Sequence, residues 1–107
     1  MNSLSSHVLD TTLGKPAEHM HITLTTPEGQ TINAQTDADG RCNNWQDTKF
    51  DAGIYQLRFH TKDYLLTHHD KAFYPYVDIC FELATNGGHY HVPLLISPFG
   101  FSSYRGS

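Results

Sequence analysis

Alternation with a period of two governs almost the whole of this chain. The segments "SSHVLD" (5–10), "HMHITLTT" (19–26), "QTINAQTD" (30–37), "GIYQLRFHT" (53–61), "YVDICFEL" (76–83) and "HYHVPLLIS" (89–97) are short runs rich in β-branched and aromatic residues. In a strand, successive side chains point to opposite faces, so each run can turn one face to a core. Between the runs lie "TTLGKP", "PEGQ", "DADGR", "FDAG", "TNGG" and "SPFG", which supply the Gly, Pro, Asn and Asp that tight turns need. Six or more strands at this spacing predict an all-β chain, a sandwich or a barrel of antiparallel strands. Only "TKDYLLTHHDKAFYPY" (61–76) breaks the pattern, with room for one or two helical turns before Pro75. No repeat or linker divides the sequence, so a single domain over 1–107 is expected.

A chain of 107 residues can bury about 60–70% of its unfolded surface, enough for one thin core. Its formal charge of −4, with only seven Lys and Arg, gives no basic field for nucleic acid or an anionic membrane. "MNSLSSHVLD" lacks the features of a secretory signal, and no run approaches the ~18 apolar residues of a membrane span. The expectation is a soluble, cytoplasmic protein in which Cys42 and Cys80 are free thiols.

The run 89–97 has two faces that both ask for cover. Tyr90, Val92, Leu94 and Ile96 form one, and His89, His91, Pro93, Leu95 and Ser97 the other. A solvated outer face normally carries Lys, Glu or Thr. This second face therefore reads as a cleft or subunit interface, or as a surface buried under a loop of the same chain.

Eight histidines are the other unusual feature. Paired imidazoles with an arginine suit general-base catalysis and the recognition of anions or carbonyls, since histidine exchanges its proton near neutral pH. Most histidines are nonetheless structural. The pairs 19/21 and 89/91 put two imidazoles on one strand face where zinc or copper could bind, but no carboxylate or cysteine stands at ligand spacing, so no metal site is assigned. Arg41 follows the turn "DADGR" and is either a surface charge or a guanidinium fork for a planar ligand. No G-x-S-x-G or cysteine-protease context suggests a covalent nucleophile.

Taken together, "LSSHVLDTTLGKPA", "TDADGR" and "HYHVPLLISPFGFSSYRGS" resemble the transthyretin-related proteins, and within them the 5-hydroxyisourate hydrolases of urate catabolism. The resemblance covers essentially the whole chain, and Tyr-Arg-Gly-Ser at 104–107 is its most specific element. It implies a transthyretin-like sandwich of two four-stranded antiparallel sheets with one short helix, assembled as a homotetramer that is a dimer of dimers with active sites in a central channel. It also implies cofactor-free hydrolysis of a planar oxidised purine. His7, Arg41, His91 and Ser107 would be catalytic, and the same four with Tyr104 and Arg105 would contact substrate. In that picture the imidazoles activate water, Arg41 clamps carbonyls, and Ser107 with its carboxylate orients an imidazole. His89 takes a structural or supporting role. Two alternatives stay open: a transthyretin-like carrier of a small molecule that does no chemistry, and a histidine-rich metal-binding module.

Overall fold

The computed structural model describes residues 1–106. Its strands are β1 (Ser3–Asp10), β2 (Lys15–Pro16), β3 (His21–Thr25), β4 (Thr31–Gln35), β5 (Arg41–Cys42), β6 (Gly53–Phe59), β7 (Val77–Leu83), β8 (His89–Ser97) and β9 (Gly100–Ser103). One helix, α1 (Thr61–His68), lies between β6 and β7. The strands make two sheets, one in the order β4-β3-β6-β7 and the other β2-β1-β8-β9, with β5 also paired to β1. Since β5 pairs with Ser6 and His7 while β2 pairs with Leu9 and Asp10, the second sheet is four strands wide. This is the all-β sandwich expected from the alternation.

One pairing departs from the antiparallel expectation. β1 and β8 run parallel, in register from Ser3 opposite His89 to Asp10 opposite Ile96. Parallel neighbours need a long crossover, and here the whole other sheet supplies it. The short pieces β2, β5 and β9 escaped the sequence reading, because two to four residues are too few for a period to declare itself.

The core lies between the inward faces. Val8, Ile22, Leu24, Leu57, Phe59, Leu65, Leu94 and Ile96 are completely buried, and burial of each such side chain contributes about 1.5–3 kcal/mol. The inward face of β8 is Tyr90, Val92, Leu94 and Ile96, as the alternation requires. α1 docks through Thr61, Tyr64 and Leu65. Trp45 anchors the loop after β5 by inserting its ring into the core and donating Nε1–H to the Leu4 carbonyl at 2.8 Å.

Several histidines are structural. His69 Nε2 lies 2.7 Å from the fully buried Asp10 carboxylate, whose same oxygen accepts from Tyr64 Oη at 2.9 Å. The other Asp10 oxygen caps the turn through the N–H groups of Thr12 and Leu13. His68 packs against the Tyr64 ring, and His21 stacks on His60 with ring centroids 4.4 Å apart. His19 does not share a strand face with His21, because it sits before β3 with a positive φ of 60°. Cys42 is buried and Cys80 exposed, and both are free.

Candidate active site

Three of the expected residues come together on the outer face of the β1 sheet. His7 lies on β1, directly opposite Arg41 on β5 and opposite Pro93 on β8. His91, two residues before Pro93, is opposite Ser5. Because Leu4, Ser6 and Val8 point into the core, Ser3, Ser5 and His7 must point outward, on the side that carries His89 and His91.

The turn before β5 fixes both Arg41 and His7. The Asp37 carboxylate accepts from the N–H groups of Asp39 and Arg41, and Gly40 takes the left-handed φ of 74° that closes the turn. A Cβ on Gly40 would fall 2.5 Å from the Val8 carbonyl oxygen, so only glycine lets this turn lie against β1. The turn then presents the Asp39 carbonyl to His7 Nε2 at 2.9 Å. A carbonyl only accepts, so Nε2 carries a hydrogen, and in the neutral ring the lone pair is on Nδ1. Arg41 is exposed, and among the described residues its guanidinium has no ion-pair partner.

His91 is partly buried, and its Nδ1 lies 2.7 Å from Ser5 Oγ. Burial, then the charges of His7, Arg41 and His89, push this imidazole below the ordinary histidine value. It is thus held neutral, the form a base must have before it takes a proton.

Pro93 shapes what lies beyond. It has no N–H, and its carbonyl accepts from Ser103 Oγ at 2.7 Å, so the β8–β9 ladder stops at Leu94 opposite Ser103. Pairing resumes in the same register at Gly106, which donates its N–H to the His91 carbonyl at 2.7 Å. Tyr104 and Arg105 occupy the interruption. The Arg105 guanidinium stacks over the Tyr90 ring at 4.2 Å, on the inward side of β8, and both residues line an open groove of about 560 Å³ with Ile79, Phe81 and Phe101. Within one chain, then, Arg105 is not brought to the imidazole face. Ser107 lies outside the described residues. The sequence reading did not single out Ser5 or Ser3, and took Gly106 only as part of the Tyr-Arg-Gly-Ser signature. The serines stand two apart on the strand of His7, which was the available signal.

Among the described residues, no cluster of three or more His, Cys, Asp or Glu side chains is arranged to hold a metal, and no helix is long and apolar enough to cross a membrane. The donors present are two imidazoles, a guanidinium and serine hydroxyls, a set suited to polarising a carbonyl and deprotonating water.

A two-sheet sandwich in this strand order, with an ionisable face on β1, β5 and β8, defines a transthyretin-like protein whose site is polar. The model of the HIUase/Transthyretin family matches residues 4–106, and the chain belongs to that family. The 5-hydroxyisourate hydrolase 2 of Rhizobium meliloti is 41% identical, over 97% of this chain and 95% of that protein. Among solved structures, 5-hydroxyisourate hydrolase from Klebsiella pneumoniae superimposes with a TM-score of 0.88 at 35% identity, covering 100% of both chains. Sea bream transthyretin in complex with thyroxine superimposes with a TM-score of 0.86 at 28% identity, over 97% of this chain and 94% of that one.

Proposed function

We propose that this protein hydrolyses 5-hydroxyisourate to 2-oxo-4-hydroxy-4-carboxy-5-ureidoimidazoline, a ring-opening step of urate catabolism, without a cofactor. The observation that carries the reading is the union of His7, Arg41 and His91 on one sheet face, in a chain similar along its length to 5-hydroxyisourate hydrolases. Neutral His91 takes a proton from water as the oxygen adds to a ring carbonyl, and Arg41 holds the oxyanion that develops. The ring C–N bond then breaks, and the leaving nitrogen receives the proton. His7, with its Nδ1 lone pair free of the Asp39 contact, orients the water or shares its proton. Ser107 orients an imidazole, and Tyr104 and Arg105 shape the pocket once subunits assemble.

The reading includes a cytoplasmic homotetramer of single-domain subunits, built as a dimer of dimers, in which the outer face of β8 turns to neighbouring subunits. Exposed Phe99, Phe101 and Tyr104 along the β8–β9 edge of that sheet support the assembly. A carrier of an apolar ligand gains nothing from imidazoles and a guanidinium in its channel, so the face favours chemistry over transport. The test is to supply freshly generated 5-hydroxyisourate and follow its ultraviolet decay against the spontaneous background. Decay at the background rate would leave the carrier reading.

A further inference from the structure

The outer face holds a second histidine in line with the first. Ser5 Oγ lies 2.7 Å from His91 Nδ1 and 2.8 Å from His89 Nε2, and Ser3 Oγ lies 2.6 Å from His89 Nδ1. The parallel register of β1 and β8 makes this chain possible, because it sets Ser3 opposite His89 and Ser5 opposite His91.

A hydroxyl has one proton to give, so Ser5 cannot donate to both imidazoles. Whichever ring accepts from Ser5, the other must donate to it. In one arrangement His91 Nδ1–H donates to Ser5, Ser5 donates to His89 Nε2, and His89 Nδ1–H donates to Ser3. This leaves His91 Nε2 with a lone pair. In the other every bond is reversed, and His91 Nε2 carries a hydrogen and cannot act as a base. A doubly protonated His89 has N–H groups at both nitrogens and so donates to Ser3 and to Ser5 alike. Ser5 must then donate to His91 Nδ1, which leaves the hydrogen of neutral His91 on Nε2, as in the reversed arrangement.

We propose that Ser5 and His89 are positioning residues that set the tautomer of His91, so that its Nε2 is a base only while His89 is neutral. The charged and titratable groups around this face are His7 on β1, Arg41 on β5 and His91 on β8. The Met1 ammonium is held on Asn86 Oδ1 beyond the start of β8. All are basic, and beside a guanidinium a lone pair is a better end to present than an N–H. Protons reach the chain at exposed Ser3 and His89, away from Arg41. Within one chain the control point is therefore open to solvent while the base it controls is partly covered.

The inference rests on the hydrolase reading for its kinetic consequences but not for its spectroscopic one. Long-range ¹⁵N–¹H spectra of the intact protein report which imidazole nitrogen carries hydrogen. His91 should be the Nδ1–H tautomer at neutral pH, and Ser5→Ala should abolish that preference. With substrate, Ser5→Ala should lower kcat roughly 10- to 100-fold with KM little changed, and Ser5→Thr, which keeps the hydroxyl, should restore it. The acid limb of kcat should fall with a two-proton slope in the wild type and a one-proton slope in His89→Phe. An Nε2–H tautomer of His91 in the wild type, a tautomer unchanged by Ser5→Ala, a Ser5→Thr variant as impaired as Ser5→Ala, or a one-proton wild-type acid limb would each overturn it. If the wild type does not hydrolyse 5-hydroxyisourate at all, the functional reading falls and the spectra alone decide the tautomer.

Discussion

Gly106 lies against the imidazole it tethers: its N–H bonds the His91 carbonyl at 2.7 Å, and a Cβ built on it would fall 2.5 Å from Cδ2 of the same ring. No side chain can enter that gap unless the ring swings or the terminal segment lifts. Gly106→Ala is therefore expected to lower turnover by about 10-fold or more, since misplacing a reacting group by about 1 Å can cost 10²-fold. The melting temperature should change little, because the segment lies outside the core. Steady-state kinetics beside a thermal melt checks both halves. A fully active Gly106→Ala would mean that the His91 ring position is unimportant.

Removing the proposed base should be more severe. His91→Asn and His7→Asn are each expected to fold normally and to lose roughly 10²–10⁴-fold in turnover, the range for a lost general base. A variant that stays within a few-fold of wild type would remove that residue from the mechanism.

The pH dependence of His91 follows from its neighbours. Its imidazole is held below 6.5 by burial, then by His7, Arg41 and His89, so the neutral form persists to lower pH than in a solvated histidine. The loss of turnover that comes from protonation of His91 itself should thus lie below 6.5. Arg41→Gln removes one positive neighbour and should move the His91 titration upward, readable by NMR without substrate. A downward or absent shift would contradict the electrostatic account.

Buried Asp10 makes a separate prediction about stability. Burial alone would raise its carboxyl. The Leu13 N–H, His69 and Tyr64 outweigh that, so the net shift is below 3.8. A carboxyl lowered on folding stabilises the native state fully above its unfolded value, and that contribution is lost as pH falls through the lower folded value. Urea midpoints should therefore decline below pH 4 in the wild type, and the decline should be shallower in Asp10→Asn. Asp10→Ala, which strands Tyr64, His69 and two turn N–H groups, should cost about 3–5 kcal/mol at neutral pH. A cost under about 1 kcal/mol would show that water replaces the carboxylate.

Trp45→Phe keeps the aromatic volume but removes the donor to the buried Leu4 carbonyl. A loss of about 1–3 kcal/mol is expected, measured as a shift in urea midpoint with unchanged slope. No shift would mean that the ring alone anchors the loop.

The strands with clear alternation could be read from sequence because burial of one face dictates it. The inward and outward sets of β8 follow residue by residue. The parallel pairing of β1 with β8 could not be read that way, since alternation gives faces but not neighbours or direction. His7, Arg41 and His91 came from motif resemblance and met because of that pairing. Ser5 was passed over because a serine on an outward strand position has no signature of its own. The 68–69 doublet was opaque for a different reason: His69 acts on Asp10 across 59 positions of sequence, a distance that local reasoning does not span.

The partnership of β1 with β8 also bears on how the molecule comes into being. Ser3 and His89 touch across 86 positions, and the whole of the opposite sheet is threaded between them. Contacts of such high order form late and slowly, because a large loop must close before they return any energy. On a ribosome, the four-stranded sheet β4-β3-β6-β7 can emerge whole while β1 still waits for its partner. The imidazole face is thus among the last features to exist, and a chain halted before β8 has no site.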